Sequence, residues 1–345
     1  MTTNLEKLME LTRDKSWLKT LVKYSQPDLK RSLGQLASSL LPFLALWVLM
    51  YWSLRVSYWL TLALAVPTAG FMVRIFIIFH DCGHGSFFKT KKANDLAGII
   101  TGILTLTPYH RWKHDHAIHH ATSSDLDRRG VGDVQMLTVS EYLALPRWRR
   151  AVYQLFRHPL LMFTVGAWSV FLFVHRFYHS HTGKEERLSV HVTNAAWLGI
   201  LLLAHLTIGL RDFFLVQFPI LAIGTTCGVW LFYVQHQFEG SYWARHDQWD
   251  FSLSGLKGSS FYKLPRLLQW FTGNIGFHHI HHLNPRIPNY NLPKCHAENS
   301  IFQHIRPLTI LGSLKSLTYR LWDEDNRCMV GFSVLRRLKQ DQEPG

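Results

Sequence analysis

The chain has 345 residues, of which 48% are hydrophobic and only 17% are Asp, Glu, Lys or Arg. A soluble domain carries about 25% charged residues, so this composition is short of charge for a water-exposed surface. Its hydrophobicity and aromatic content exclude intrinsic disorder, and four cysteines without framework spacing (Cys82, Cys227, Cys295, Cys328) exclude a disulfide scaffold.

Residues 1–32 form a charged, amphipathic stretch carrying Leu5, Leu8, Leu11, Leu18 and Leu21, without the cleavage site of a signal peptide. Two pairs of long apolar runs follow: Leu33 to Leu54 with Val56 to Phe79, then Val192 to Leu210 with Phe213 to Val234. Each run is near the roughly 20 residues that cross a bilayer as a helix. The short breaks at Arg55 and at Arg211-Asp212 predict two tight helical hairpins. The expected fold is therefore an all-α integral membrane protein of four transmembrane helices in two hairpins, with a cytoplasmic helical cap. It reads as a single domain, with hairpins over 33–79 and 192–234 and cytoplasmic or interfacial segments over 1–32, 80–191 and 235–345.

Charge placement supports that topology. Lys7, Arg13, Lys15, Lys19, Lys23, Lys30 and Arg31 set the N-terminus on the cytoplasmic side. Two hairpins then leave only Arg55 and Arg211 outside and Arg74 within a helix, with every other one of the 37 basic residues cytoplasmic. The net charge of +14 is thus a topology signal and calls for no nucleic acid. Leu96 to Leu106 is too short to span and reads as re-entrant or interfacial. Leu160 to Val174 is read as interfacial too, because a crossing there would place the basic tail outside. Arg74 lies six residues before His80 and is expected to snorkel to the interface.

The chain holds 21 histidines, and neutral imidazole is a leading metal ligand. Three clusters fall on the cytoplasmic side: His80-Asp81-Cys82-Gly83-His84, His116-Ala117-Ile118-His119-His120 and His278-His279-Ile280-His281-His282. His80 and His84 share one helical face. In the other two clusters, positions i, i+3 and i+4 form a triangle of imidazoles able to converge on a metal. That selects His116, His119 and His120, then His278, His281 and His282, with His114 and His279 facing away. His236, where the fourth apolar run reaches the cytoplasm, is a ninth candidate. First-row metals take four to six ligands, so eight or nine imidazoles fit two ions. Imidazole suits iron, copper, zinc and nickel alike, and the spacing names only a pair of transition metals. Asp81, Asp115, Asp125, Asp133 and Glu239 are carboxylates that could orient a ligating ring; Asp81 lies between two ligands, and a surface role is expected for the others.

This pattern resembles the integral-membrane fatty acid desaturases, most closely the bacterial acyl-lipid enzymes. The resemblance rests on His80-Asp81-Cys82-Gly83-His84-Gly85-Ser86-Phe87, on Pro108-Tyr109 and Trp112 leading into the second cluster, and on Gly276-Phe277 leading into the third. It continues through Ile287-Pro288-Asn289-Tyr290-Asn291-Leu292 and includes Val234-Gln235-His236-Gln237-Phe238-Glu239. It implies a cytoplasmic di-iron centre held by the cluster histidines plus His236, four spanning helices, and insertion of a cis double bond into a lipid acyl chain with dioxygen as co-substrate. No haem-binding His–Pro–Gly–Gly motif occurs, so a separate ferredoxin or flavodoxin is the expected electron donor and a bacterial cytoplasmic membrane the expected location. Hydroxylation of fatty acids and ketolation or hydroxylation of carotenoids use the same boxes and stay open. A histidine-rich metal transporter is the rival from another class, although transporters place ionisable groups near the midplane and these runs hold only Arg74 and His205.

Overall fold

The computed structural model describes residues 14–178 and 182–335; Leu5, Leu8 and Leu11 of the amphipathic N-terminus lie outside them. The described part of that segment comprises α1 (Ser16–Thr20) and a 3-10 turn, Leu21–Tyr24. Leu21 and Tyr24 are buried against Ile280, Leu283 and Phe302, which ties the segment to the third histidine cluster.

The first hairpin is α2 (Leu29–Ser53) and α3 (Tyr58–Gly83). Asp28 caps α2 by accepting from the Arg31 backbone N–H, satisfying one of the donors a helix start leaves open. The second hairpin is α9 (Lys184–Thr207) and α10 (Leu210–His236). Its turn is at Ile208-Gly209, with Gly209 at φ +82, a backbone state that costs glycine little. Arg211 and Asp212, expected in the turn, instead belong to the first turn of α10, where Asp212 faces the positive end of the helix dipole. Between the hairpins run α4 (Lys91–Leu104), α5 (Tyr109–Thr122), α6 (Val139–Ala144), α7 (Arg147–Phe156) and α8 (Pro159–Arg176). The last is irregular, with a π-turn at Met162–Gly166 and a 3-10 turn at Val174–Arg176.

Five helices among the described residues are long and apolar enough to cross a membrane: α2, α3, α8, α9 and α10. Four match the apolar runs, and the fifth is the run expected at the interface. The first hairpin packs on α10 through a shared core that includes Phe43, Ala69, Met72, Val216 and Ile220.

The fold is mostly helical, but it is not the all-α fold expected from the sequence. Strands β1 (Leu137–Thr138), β2 (Leu321–Asp323) and β3 (Cys328–Val330) form a small sheet, β1 parallel and β3 antiparallel to β2. Strands of two or three residues give no periodicity to read in a sequence.

Arg74 does not snorkel. It is buried, its Nε donates to Ser39 Oγ at 3.1 Å, and its guanidinium also bonds the Trp270 carbonyl and lies 3.9 Å from the Trp270 ring centroid. Trp270, on α12 (Arg266–Phe271), which follows α11 (Phe251–Leu256), covers this part of α3, so the charge is satisfied in place.

Candidate metal centre

Four elements deliver histidines to one end of the helical bundle. His80 lies in the last turn of α3 and His84 follows it as the C-cap. His116, His119 and His120 come from α5, His236 is the last residue of α10, and the third cluster forms α13 (His278–Leu283).

The nine candidate histidines sort into two groups, in each of which one ring nitrogen per residue lies within 4.8 Å of the rest. His80, His84, His116, His120 and His281 form the first; His119, His236, His278 and His282 form the second. The sequence triangles are therefore split. Each i, i+4 pair (His80/His84, His116/His120, His278/His282) turns toward one group, while the i+3 rings of His119 and His281 reach across to the other. A helix rotates about 100° per residue, so position i+3 lies at the opposite edge of the stripe from i+4, and with a group on either side the two diverge.

The contacts have the spacing that ligands of a shared ion would take. Nε2 atoms meet at 3.2 Å between His116 and His120 and at 3.0 Å between His120 and His281. In the second group the distances are 3.1 Å for His119–His236, 3.0 Å for His236–His278 and 3.1 Å for His278–His282. Imidazoles bound to a shared ion at about 2.0–2.1 Å place their nitrogens about 3.0–3.4 Å apart. The Nε2 atoms of His80 and His84 are buried with no hydrogen-bond partner, so they too are free to present lone pairs to an ion. Burial, followed by the neighbouring imidazoles, holds His84, His116, His120, His278, His281 and His282 well below the ordinary imidazole range. That keeps them in the neutral, ligating form. The donor set fits two transition-metal ions.

Two carboxylates orient candidate ligands through the other ring nitrogen. His119 Nδ1 donates to Asp133 Oδ1 at 2.6 Å, and His80 Nδ1 to Asp81 Oδ1 at 3.3 Å. Asp81 is held in turn by the backbone N–H and side-chain amide of Asn289, at 2.7 and 2.8 Å. Asp133 departs from the expected surface role, because the loop carrying it folds back onto α5. Gly132, at φ +71, allows this approach: a Cβ there would lie 3.1 Å from the His119 Cβ. Of the other carboxylates, Asp125 and Glu239 act elsewhere. Asp125 holds Arg128 and His246, Asp115 lies 3.9 Å from Arg111, and Glu239 pairs with Lys315.

His114 is exposed, as its position on α5 implies. His279 is buried outside both groups, against Phe261, His296 and Phe302. Cys82 packs with Ile78, Phe79 and Tyr109 and faces away from both groups. Sequence reasoning missed Trp112 as a wall of the site: its ring stacks on His116 with centroids 4.2 Å apart. Asn289, part of the motif that follows the third cluster, is the partner of Asp81.

Beside the histidines lies a cavity of about 440 Å³, within the size range of small-ligand sites. His80, His116 and His278 line one end; Met72, Ala167 and Gly224 line the part deeper along α3 and α10.

Residues 57–303 match the family model for "Fatty acid desaturase". The chain belongs to the fatty acid desaturase family. It is 48% identical over 332 residues to a protein of Bacillus subtilis strain 168 named "Fatty acid desaturase", covering 96% of this chain and 94% of that one. More distant similarity, 28% identity over 70% of this chain and 69% of the other, links it to the "sn-1 oleoyl-lipid 12-desaturase" of Anabaena variabilis. It is also 27% identical to the "sn-1 acyl-lipid omega-3 desaturase (ferredoxin)" of Nostoc sp. strain 36, over 64% of this chain and 62% of that one. The family is one of oxidoreductases, and its match covers all three histidine clusters and His236.

Proposed function

We propose that this desaturase inserts a cis double bond into an acyl chain of a membrane lipid, using dioxygen and two electrons from a separate ferredoxin or flavodoxin. The observation carrying the reading is the convergence of nine imidazoles beside one end of a largely apolar cavity. A methylene has no acidic proton and no leaving group, so side chains alone cannot attack it. Two iron ions held by His80, His84, His116, His120 and His281, and by His119, His236, His278 and His282, would supply the dioxygen chemistry when bound. The chain's own residues do the rest. Asp81 and Asp133 fix the tautomers of His80 and His119; Trp112, backed by Phe79, covers His80 and His116; and the cavity wall aligns one stretch of chain against the ligands. Forming the alkene while dioxygen becomes two waters takes two hydrogens from the chain and two electrons and two protons from outside.

The lipid substrate draws support from the acyl-lipid names of the relatives, and the donor from the ferredoxin in one of them. The basic excess favours an acidic donor electrostatically. Four spans, α2, α3, α9 and α10, put both termini and the metal site on the cytoplasmic face. The placement of α8 supports this count, because both its ends lie at the histidine end of the bundle. Before it, Arg157 bonds Gln237, next to His236; at its far end, Arg111, five residues before His116, bonds the carbonyls of Val174 and Phe177.

The test expresses the chain, or its His281→Ala variant, in a host lacking its own desaturase and maps double bonds in total lipid by mass spectrometry. New unsaturated chains with the wild type alone are expected. Hydroxy or keto products would replace desaturation with another oxidation, and metal flux without an oxidised product would overturn the reading.

A further inference from the structure

We propose that Gly228 sets how far an acyl chain can run past the metal ligands, and thereby selects chain length; this rests on the acyl-lipid reading above. Gly224, Gly228, Leu231 and Gln235 all line the cavity, and their i, i+4, i+7, i+11 spacing makes them one face of α10. Gly228 lies eight residues before His236, about 12 Å along the helix at 1.5 Å per residue. It stands between the histidine end of the cavity and the end formed by Met72, Ala167 and Gly224.

The glycines on this cavity differ in what they serve. At Gly224 a Cβ would press on Met72 at 3.2 Å, and at Gly166 on the Leu161 carbonyl at 3.2 Å, so close packing explains both. At Gly228 a Cβ would meet no atom within 4 Å, and the backbone is ordinary helix. Glycine inside a helix costs about 1 kcal/mol relative to alanine, and neither packing nor backbone geometry requires it here. What its missing side chain leaves is open space in the cavity.

The two ends of that cavity differ in polarity. Asp115, Asp133 and Gln235 lie with the histidines, whereas the deep end offers methionine, alanine and glycine, and its one hydroxyl beside Gly224, that of Thr225, is already bonded to the Leu221 carbonyl. The methyl-terminal part of a chain therefore runs past Gly228 toward Met72, and a side chain at 228 would stop it. Chains short enough to end before that point would bind as before.

The experiment compares wild type, Gly228→Ala, Gly228→Leu and, as a control for bulk on the exposed side of α10, Cys227→Leu. Each is supplied with a graded series of saturated acyl chains, and conversion is read by mass spectrometry. Binding of the same series to the metal-free protein in detergent is read by displacement of a fluorescent fatty acid. Gly228→Leu is expected to lose the longest chains relative to the shortest by roughly tenfold or more in both readouts, the scale set by a methylene that no longer fits. Gly228→Ala should fall between, and Cys227→Leu should match the wild type. An unchanged length profile in Gly228→Leu, or equal loss at every length, would overturn the proposal. Failure of the wild type to make any unsaturated product would instead overturn the acyl-lipid reading on which it rests.

Discussion

Asp133 accepts a 2.6 Å hydrogen bond from His119 Nδ1, while the Nε2 of the same ring lies 3.1 Å from that of His236. A carboxylate only accepts, so Nδ1 carries the proton and Nε2 presents a lone pair to the second histidine group. One loop residue thereby fixes both the tautomer and the aim of the ring that crosses over from α5. Asp133→Asn keeps the shape but removes the charge, and Asp133→Ala removes the contact. Both should bind metal more weakly in the second group, by about 10–100-fold, with Ala the worse. Metal titration of detergent-solubilised protein measures this, with the first group as the internal control.

Because the second and third clusters each serve both groups, neighbouring histidines should give separable defects. Replacing His84 or His281 by Ala should weaken the five-histidine group, and replacing His119 or His282 should weaken the four-histidine group. The four-histidine group has fewer ligands to spare, so its variants should lose metal at lower chelator concentration. Metal-to-protein ratios across a chelator series check this. Equal loss of both ions in every variant would mean a single coupled site.

Much of this was legible in the sequence because it rests on local spacing. The apolar runs gave the four helices of α2, α3, α9 and α10 within about four residues at every end but one, since α9 begins at Lys184, eight residues before the run at Val192, and the clusters with His236 gave all nine rings. The sorting of those rings was not legible, because it depends on how α3, α5, α10 and α13 are set against one another. Partners distant in sequence were hidden for the same reason. Asp81 meets Asn289 across 208 positions, and Arg74 meets Trp270 across 196. Asp133 had a local signal in Gly130-Val131-Gly132, a flexible approach to a carboxylate, but not one that names His119 as its target.

Acid should destabilise the metal-free protein. His84, His116, His120, His278, His281 and His282 are held well below the ordinary imidazole value by burial, whereas in the unfolded chain they titrate near about 6.5. Above that pH neither state binds protons at these rings, and stability does not depend on them. Below it the unfolded chain takes up protons that the folded state refuses, so stability falls with falling pH until the depressed folded values are reached. Thermal unfolding of apoprotein should therefore be flat from about pH 8 to 7 and decline below about 6.5. A His120→Gln, His282→Gln variant should decline less steeply.

Asn289 offers a test in which charge and packing can be separated. It is buried, it donates twice to Asp81 Oδ2, and its own side-chain oxygen accepts from Gln35 Nε2 at 3.0 Å. This joins α2, the end of α3 and the loop after α13 behind His80. Asn289→Leu removes the side-chain bonds and leaves the backbone N–H on Asp81, at a cost of about 1–3 kcal/mol. Asn289→Asp has nearly the native shape but sets a second carboxylate where the amide donated at 2.8 Å. Two buried carboxylates that close cannot both ionise cheaply, so this variant should be the less stable at neutral pH and should lose metal from the first group. Its deficit relative to wild type should shrink as pH falls, because a shared proton restores a donor between the two oxygens. Melting temperatures of both variants and the wild type between pH 8 and 5 distinguish this from a packing defect, which would leave the deficit independent of pH.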